Sequence, residues 1–107
     1  MAVSYLETKA AYEEAVAATK GGKCLVIDFT ATWCPPCKMI GPKFEAMAPD
    51  HPNLTFRKID VDANSEGSAA AGIQCMPTFK FYKDGAEADK LEGANEAKLK
   101  ELCGKYN

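Results

Sequence analysis

The chain has 107 residues, of which 47% are hydrophobic, and a formal net charge of −2. That length suits a single domain, placed at 1–107, with one core. The near-neutral balance and scattered lysines give no electrostatic footing for nucleic acid or an anionic membrane, and no apolar run approaches the ~20 residues of a spanning helix. The N-terminal stretch has no basic region followed by an apolar one and is too acidic for a transit peptide, so a cytoplasmic location is expected.

In chain order, Val3 to Leu6 is a candidate edge strand. Thr8 can cap a helix running to Lys20, with Tyr12, Ala15, Val16 and Thr19 on one face, and Gly21-Gly22 ends it. Cys24 to Thr30 is short, β-branched and almost wholly apolar, which predicts a central strand buried on both faces. A helix opens at Cys34, with Ile40, Phe44 and Met47 along one side. Pro42 falls inside it and is expected to kink it; Pro49 and Pro52 bound its end. Leu54 to Val61 is a second strand, and Asn64 to Ala71 a short helix stopped by Gly72. Thr78 to Tyr82 alternates around aromatics, Asp84-Gly85 signals a hairpin, and Ala88 to Glu92 returns as the partner strand. Asn95 caps a last helix with the stripe Leu99, Leu102, Cys103 and Tyr106. The order β-α-β-α-β-α-β-β-α predicts an α/β fold, its mixed sheet parallel in the first part and closed by an antiparallel hairpin.

The chemistry concentrates in Trp33-Cys34-Pro35-Pro36-Cys37. The cysteine count is 5, an odd number, and only Cys34 and Cys37 form a motif; in a reducing compartment that pattern points to catalysis or metal binding and away from structural bridges. Helix positions i and i+3 share a face with Cβ atoms ~5–6 Å apart, and a disulfide needs about 3.5–4.5 Å, so a first-turn pair closes with little adjustment. Unpaired N–H groups and the helix dipole favour an anion there, which lowers a thiol pKa and makes Cys34 the nucleophile. Cys37, one turn further in and more buried, would resolve the mixed disulfide. The prolines occupy first-turn positions whose N–H groups have no helical partner, and they stiffen the link, although Pro36 biases Pro35 away from the α region. Pro35 also cannot donate an N–H to the Cys34 sulfur. The competing reading, half of a zinc site, needs two further ligands from isolated cysteines and His51 in a loop; no metal site is expected.

Asp28 interrupts an apolar strand six residues before Cys34. Either it marks a strand end exposed to water, or it is a buried carboxyl whose pKa desolvation raises. Such a group can take and return the proton of Cys37 during exchange. Lys58, on a neighbouring candidate strand, is its candidate partner.

These residues carry a resemblance. WCPPC after a strand containing Asp28, followed by CKMIGP, CMPTF and EGAN, resembles the thioredoxin family over essentially the whole chain. The resemblance implies the thioredoxin fold, a central mixed sheet of about five strands flanked by about four helices. It implies a protein-disulfide oxidoreductase with no bound cofactor beyond a redox-active Cys34–Cys37 disulfide, fed by NADPH through thioredoxin reductase and acting on disulfide-containing proteins as a monomer. Pro77 would be the family's cis-proline facing the pair, and the Met76 backbone would hydrogen-bond an extended substrate segment. Trp33, Val61, Gly72, Ile73, Met76, Gly93 and Ala94 would form the apolar docking surface, with Pro35 and Pro36 beside them. Asp28 and Lys58 match the buried acid and its lysine, and Pro42 the helix-kinking proline.

Two departures stand out. Pro35 replaces the usual glycine, and the double proline also resembles tryparedoxins and nucleoredoxins, which would make the protein a specialised dithiol carrier. A non-catalytic interaction module using the same surface is the reading from a different class; the intact pair and Asp28 argue against it. Cys75 resembles the extra cysteine of animal-type thioredoxins, either a regulatory thiol that can link a dimer or a bystander. Cys24 and Cys103 lie on core faces and are expected to act as small hydrophobes.

Overall fold

The computed structural model describes residues 3–107; the domain expected over 1–107 thus includes two residues outside that span. The elements are α1 (Lys9–Ala17), β1 (Cys24–Thr30), α2 (Pro35–Met47), β2 (Leu54–Asp60), α3 (Ser65–Ala70), β3 (Thr78–Lys83), β4 (Ala86–Glu92) and α4 (Glu96–Tyr106). Four strands form one sheet in the order β2-β1-β3-β4. β1 runs parallel to β2 and antiparallel to β3, and β3 and β4 form the closing hairpin. The expected edge strand at Val3 to Leu6 contracts to a bridge: Tyr5 pairs with Lys58, Lys58 N–H donates to the Ser4 carbonyl and Leu6 N–H to the Lys58 carbonyl. The first helix loses its α form at Ala17 and finishes as a 3₁₀ turn over Ala18–Gly21, with Gly22 at φ 96°. Pro42 lies inside α2 without interrupting it.

The pleat of β1 sorts the core. Cys24 and Val26 point to one face, where Ile40, Phe44 and Met47 of α2 and Leu99, Leu102 and Cys103 of α4 cover them. Leu25, Ile27 and Phe29 point to the other face, against Ala11, Tyr12, Ala15 and Val16 of α1. A strand sandwiched in this way must be apolar at successive positions, and Cys24 to Phe29 are all buried. The caps follow local chemistry. Thr8, Asn64 and Asn95 each accept a backbone N–H in the first turn of α1, α3 and α4, satisfying groups a helix start leaves unpaired.

Phe44 is fully buried, with its ring 5.1 Å from that of Phe56 and 5.5 Å from that of Phe79. Phe44→Ala removes the ring and leaves a cavity between α2 and the sheet. We expect a loss of ~3–5 kcal/mol in unfolding free energy, measured from urea-induced unfolding.

Candidate active site

Cys34 and Cys37 are joined by a disulfide at the start of α2, with Cα atoms 5.2 Å apart. The residue before a proline is pushed to extended backbone, and Cys34 has φ −100° and ψ 107°. It is therefore the N-cap, with Pro35 and Pro36 as the first helical residues. Pro35 opens the helix despite the bias imposed by Pro36. Because neither proline has an N–H, the first donor of α2 is Cys37, whose N–H points at the Cys34 sulfur at 3.3 Å. The Lys38 N–H continues the turn to the Cys34 carbonyl. Of the first-turn groups that would stabilise a thiolate on Cys34, this one contact survives the double proline.

The expected contrast in burial between the two thiols is absent. Cys34 is 5% exposed and Cys37 3%. With the ring closed, both sulfurs sit in a small cluster with Ala31, flanked by Val61 and Met76. What separates them is their surroundings. The Cys34 sulfur lies 3.8 Å from the Met76 carbonyl oxygen, next to the cis Met76–Pro77 peptide. Cys37 instead lines a cleft of about 330 Å³ together with Gly41, Glu45 and Lys58.

Around the pair, the structure brings together most of the predicted surface. Trp33 is 61% exposed, and its indole N–H donates to Asp62 Oδ2 at 2.7 Å. Val61 and Met76 touch the cysteine cluster. Ile73 packs on the α1 side of the core, while Ala94 packs on the α2 side. Gly93, at φ 100°, donates its N–H to the Pro77 carbonyl; that bond fixes the loop after β4 beside the loop before β3. Gly72 follows α3 at φ 72° and is exposed. Pro35 and Pro36 are exposed and Pro77 is buried. Cys75 is exposed, with its sulfur 3.8 Å from Thr78 Oγ1. Cys24 and Cys103 are buried, and burial pushes the Cys103 thiol up to about 12. Among the described residues no three His, Cys, Asp or Glu side chains gather as metal ligands, and no helix is long and apolar enough to cross a membrane.

Asp28 is fully buried, and neither carboxyl oxygen has a hydrogen-bond partner among the described residues. Burial pushes its pKa up to about 7; Lys58 pulls it down and Glu45 raises it further. Lys58 stands opposite Asp28 in the parallel β1–β2 register, as the sequence leads one to expect. Its ammonium, however, bonds to Glu45 Oε2 at 2.8 Å. Burial works against the Lys58 charge, but the Glu45 hydrogen bond together with the nearby Tyr5, Glu45 and Asp28 outweighs it, so the Lys58 pKa is raised. Sequence reasoning missed Glu45 and Asp62. Glu45 sits eight residues beyond Cys37, and no spacing rule links it to a lysine on β2.

The match to known proteins is extensive. The family model described as Thioredoxin matches residues 3–105. A thioredoxin of Geodia cydonium is 52% identical over 104 residues, spanning 96% of this chain and 97% of that protein. An H-type thioredoxin of Chlamydomonas reinhardtii is 49% identical over 106 residues, spanning 97% and 94%. The X-ray structure of Fasciola hepatica thioredoxin superposes with a TM-score of 0.92 at 44% identity, covering 98% of this chain and 100% of that one.

The Asp28 shift sets a pH dependence. An acid with a higher pKa in the folded than in the unfolded chain binds its proton more tightly when folded. Its contribution is full below the ordinary carboxylate range and is lost as pH rises through about 7. The unfolding free energy of the native protein should therefore fall between about pH 4 and pH 8, by up to about 4 kcal/mol from this group. Asp28→Asn should remove that part of the fall and be the more stable protein at pH 8, as read from urea unfolding at each pH.

Proposed function

The chain belongs to the thioredoxin family and is a protein thiol–disulfide oxidoreductase, and from that premise we propose how its residues divide the reaction and where its electrons come from. In the reduced protein Cys34 is the attacking thiolate. Its sulfur forms a bond to one sulfur of a target disulfide; the target S–S bond breaks, and the released target thiolate takes up a proton. Asp28, as carboxylate, accepts the proton of Cys37. The Cys37 sulfur then attacks the Cys34 sulfur, closing the ring and expelling the second target thiolate. Two electrons have moved to the target and the pair is oxidised. The cleft shared by Cys37 and Lys58 gives water a route for the proton to leave.

The observation that carries this division is the placement of Cys34 at the N-cap of α2, its sulfur facing the Met76 carbonyl. Substrate reaches the pair along the surface of Trp33, Pro35, Pro36, Val61, Gly72, Ile73, Met76, Pro77, Gly93 and Ala94. An extended target segment would lie on the Met76 backbone. Trp33 is held against the rim by Asp62, so its exposed ring costs little further ordering on binding.

We assign thioredoxin reductase, drawing on NADPH, as the source of electrons, and the cytoplasm as the location, where Cys24, Cys75 and Cys103 remain free thiols. The protein works as a single-domain monomer; exposed Cys75 is the position at which two copies can be linked. The double proline is the feature that favours a second reading, a carrier supplied by another dithiol, because it strips the first turn of two N–H donors.

Cys37→Ser should accumulate covalent adducts with target proteins that disappear on adding dithiothreitol, and Cys34→Ser should yield none. Adducts that form equally with Cys34→Ser would reverse the roles of the two thiols. The equilibrium potential of the pair, measured beside Pro35→Gly, decides between donors; about 30 mV corresponds to ~1.4 kcal/mol for a two-electron couple. We expect a potential well below the glutathione poise and reduction by NADPH with thioredoxin reductase. A potential near that poise, lowered by Pro35→Gly, would establish the dithiol carrier instead.

A further inference from the structure

Lys58 occupies the position from which an ammonium would pair with Asp28, and it pairs elsewhere. Asp28 and Lys58 are register partners on adjacent parallel strands. On β2, Lys58 shares its parity with Leu54 and Phe56, and on β1, Asp28 shares its parity with Cys24 and Val26, all of which face α2 and α4. The two side chains therefore project to the same face of the sheet. Yet both Asp28 oxygens are unpartnered among the described residues, while Lys58 Nζ donates to Glu45 Oε2 at 2.8 Å. The Lys58 side chain is 9% exposed and that of Glu45 37%, so Glu45 draws the charge towards the mouth of the cleft that Cys37 also lines. The ammonium lies beside Gly41, one turn before Glu45; a Cβ there would stand 3.8 Å from Nζ, in ordinary van der Waals contact.

We propose that Glu45 is a positioning residue for the thiol chemistry: by holding the Lys58 ammonium at the cleft wall, it keeps Lys58 from closing on Asp28 and so leaves Asp28 free to take and return a proton. The proposal rests on Asp28 being the proton acceptor for Cys37.

The charged surroundings of Asp28 are simple. From β2 it meets Lys58, itself 5.5 Å from the Tyr5 ring. From α2 it meets Glu45, with Cys37 on the same helix locked in the disulfide. From β3 its register partner is Phe79, which carries no charge. A carboxylate contacted directly by an ammonium is stabilised in its ionised form. With Lys58 closed on it, Asp28 would be ionised well below neutrality and a poor proton acceptor for a thiol. Burial acting with the Glu45–Lys58 arrangement instead leaves it poised at about 7.

The test is direct titration of Asp28 in the oxidised protein, where Cys37 carries no proton. Carboxyl ¹³C shifts would be followed in the native chain, Glu45→Gln, Lys58→Met and the double variant. Glu45→Gln should lower the Asp28 midpoint towards the ordinary carboxylate range, and Lys58→Met should raise it. On the Lys58→Met background, Glu45→Gln should have a clearly smaller effect, because only the direct repulsion of Asp28 by Glu45 then remains. In the reduced protein the acid limb of the pH–rate profile for target reduction should move to lower pH in Glu45→Gln, and move clearly less when Lys58 is absent. An unmoved midpoint in Glu45→Gln overturns the proposal. So does an equal fall in both backgrounds, which would reduce Glu45 to one more negative charge near Asp28. The titration needs no turnover, so a protein that failed to reduce disulfides would still answer it. A failed titration alongside intact reductase activity would remove Glu45 and leave the wider reading standing.

Discussion

β1 has helices on both of its faces, and every side chain from Cys24 to Phe29 is buried. The layering of the fold and the chemistry of the site both depend on that burial. The apolar side chains of β1 divide by parity between the α1 face and the face covered by α2 and α4, and the hydrophobic gain from covering both holds the three layers together. Asp28 is the exception within this strand. Its parity directs it to the α2 face, so the same packing that stabilises the sheet also desolvates a carboxyl group. A group buried without a hydrogen-bond partner costs free energy wherever it lies; here it lies a few residues upstream of the cysteine pair.

Strand direction explains how residues distant in sequence meet at the sulfurs. β1 ends at Thr30 and the chain turns into α2 through Cys34. β3 is antiparallel to β1, with Phe29 opposite Thr78, so the start of β3 lies beside the end of β1. Met76 and Pro77 immediately precede β3 and are carried to the same end of the sheet as Cys34. β2, parallel to β1, ends there too, which brings Val61 and Asp62 to the pair. The hairpin returns β4 to this end at Glu92, and the Gly93 N–H ties to the Pro77 carbonyl. One parallel neighbour and one antiparallel neighbour of a single strand thus converge four loops on one disulfide.

The parts of this arrangement legible in the sequence were those with a local cause. The caps Thr8, Cys34 and Asn95, the apolar run of β1, the hairpin at Asp84-Gly85 and the first-turn geometry of the cysteine pair all depend on neighbours within a few residues. Asp28 was legible as an anomaly because charge interrupts the run. The strand expected at Val3 to Leu6 contracted to one bridge, in which the backbone of Ser4 and Leu6 pairs with Lys58. The equal burial of Cys34 and Cys37 depends on Val61 and Met76 folding over them, contacts no spacing rule contains. Glu45 was hidden for a similar reason: Lys58 is long enough to choose between two carboxylates, and only packing decides which.

That choice shapes the electrostatics of the site. A buried ion pair between Lys58 and Asp28 would have to repay the desolvation of both charges, and such pairs often gain little net stability. Pairing Lys58 with half-exposed Glu45 leaves one partner in contact with water, which lowers that cost. Lys58 still carries a desolvation cost, which its Glu45 partner and neighbouring groups offset; the charge penalty on Asp28 has no hydrogen bond among the described residues to offset it and appears when the carboxyl ionises. At low pH the acid is neutral and carries only the cost of an unpaired polar group, less than that of a buried charge; near neutrality ionisation and stability oppose each other. A chain optimised for stability alone would place an apolar residue at this point of β1. Under the proposed proton transfer, retaining an acid there makes the strand's weakest position the one that serves the thiols, and natural folds break their own packing rules most often at functional sites.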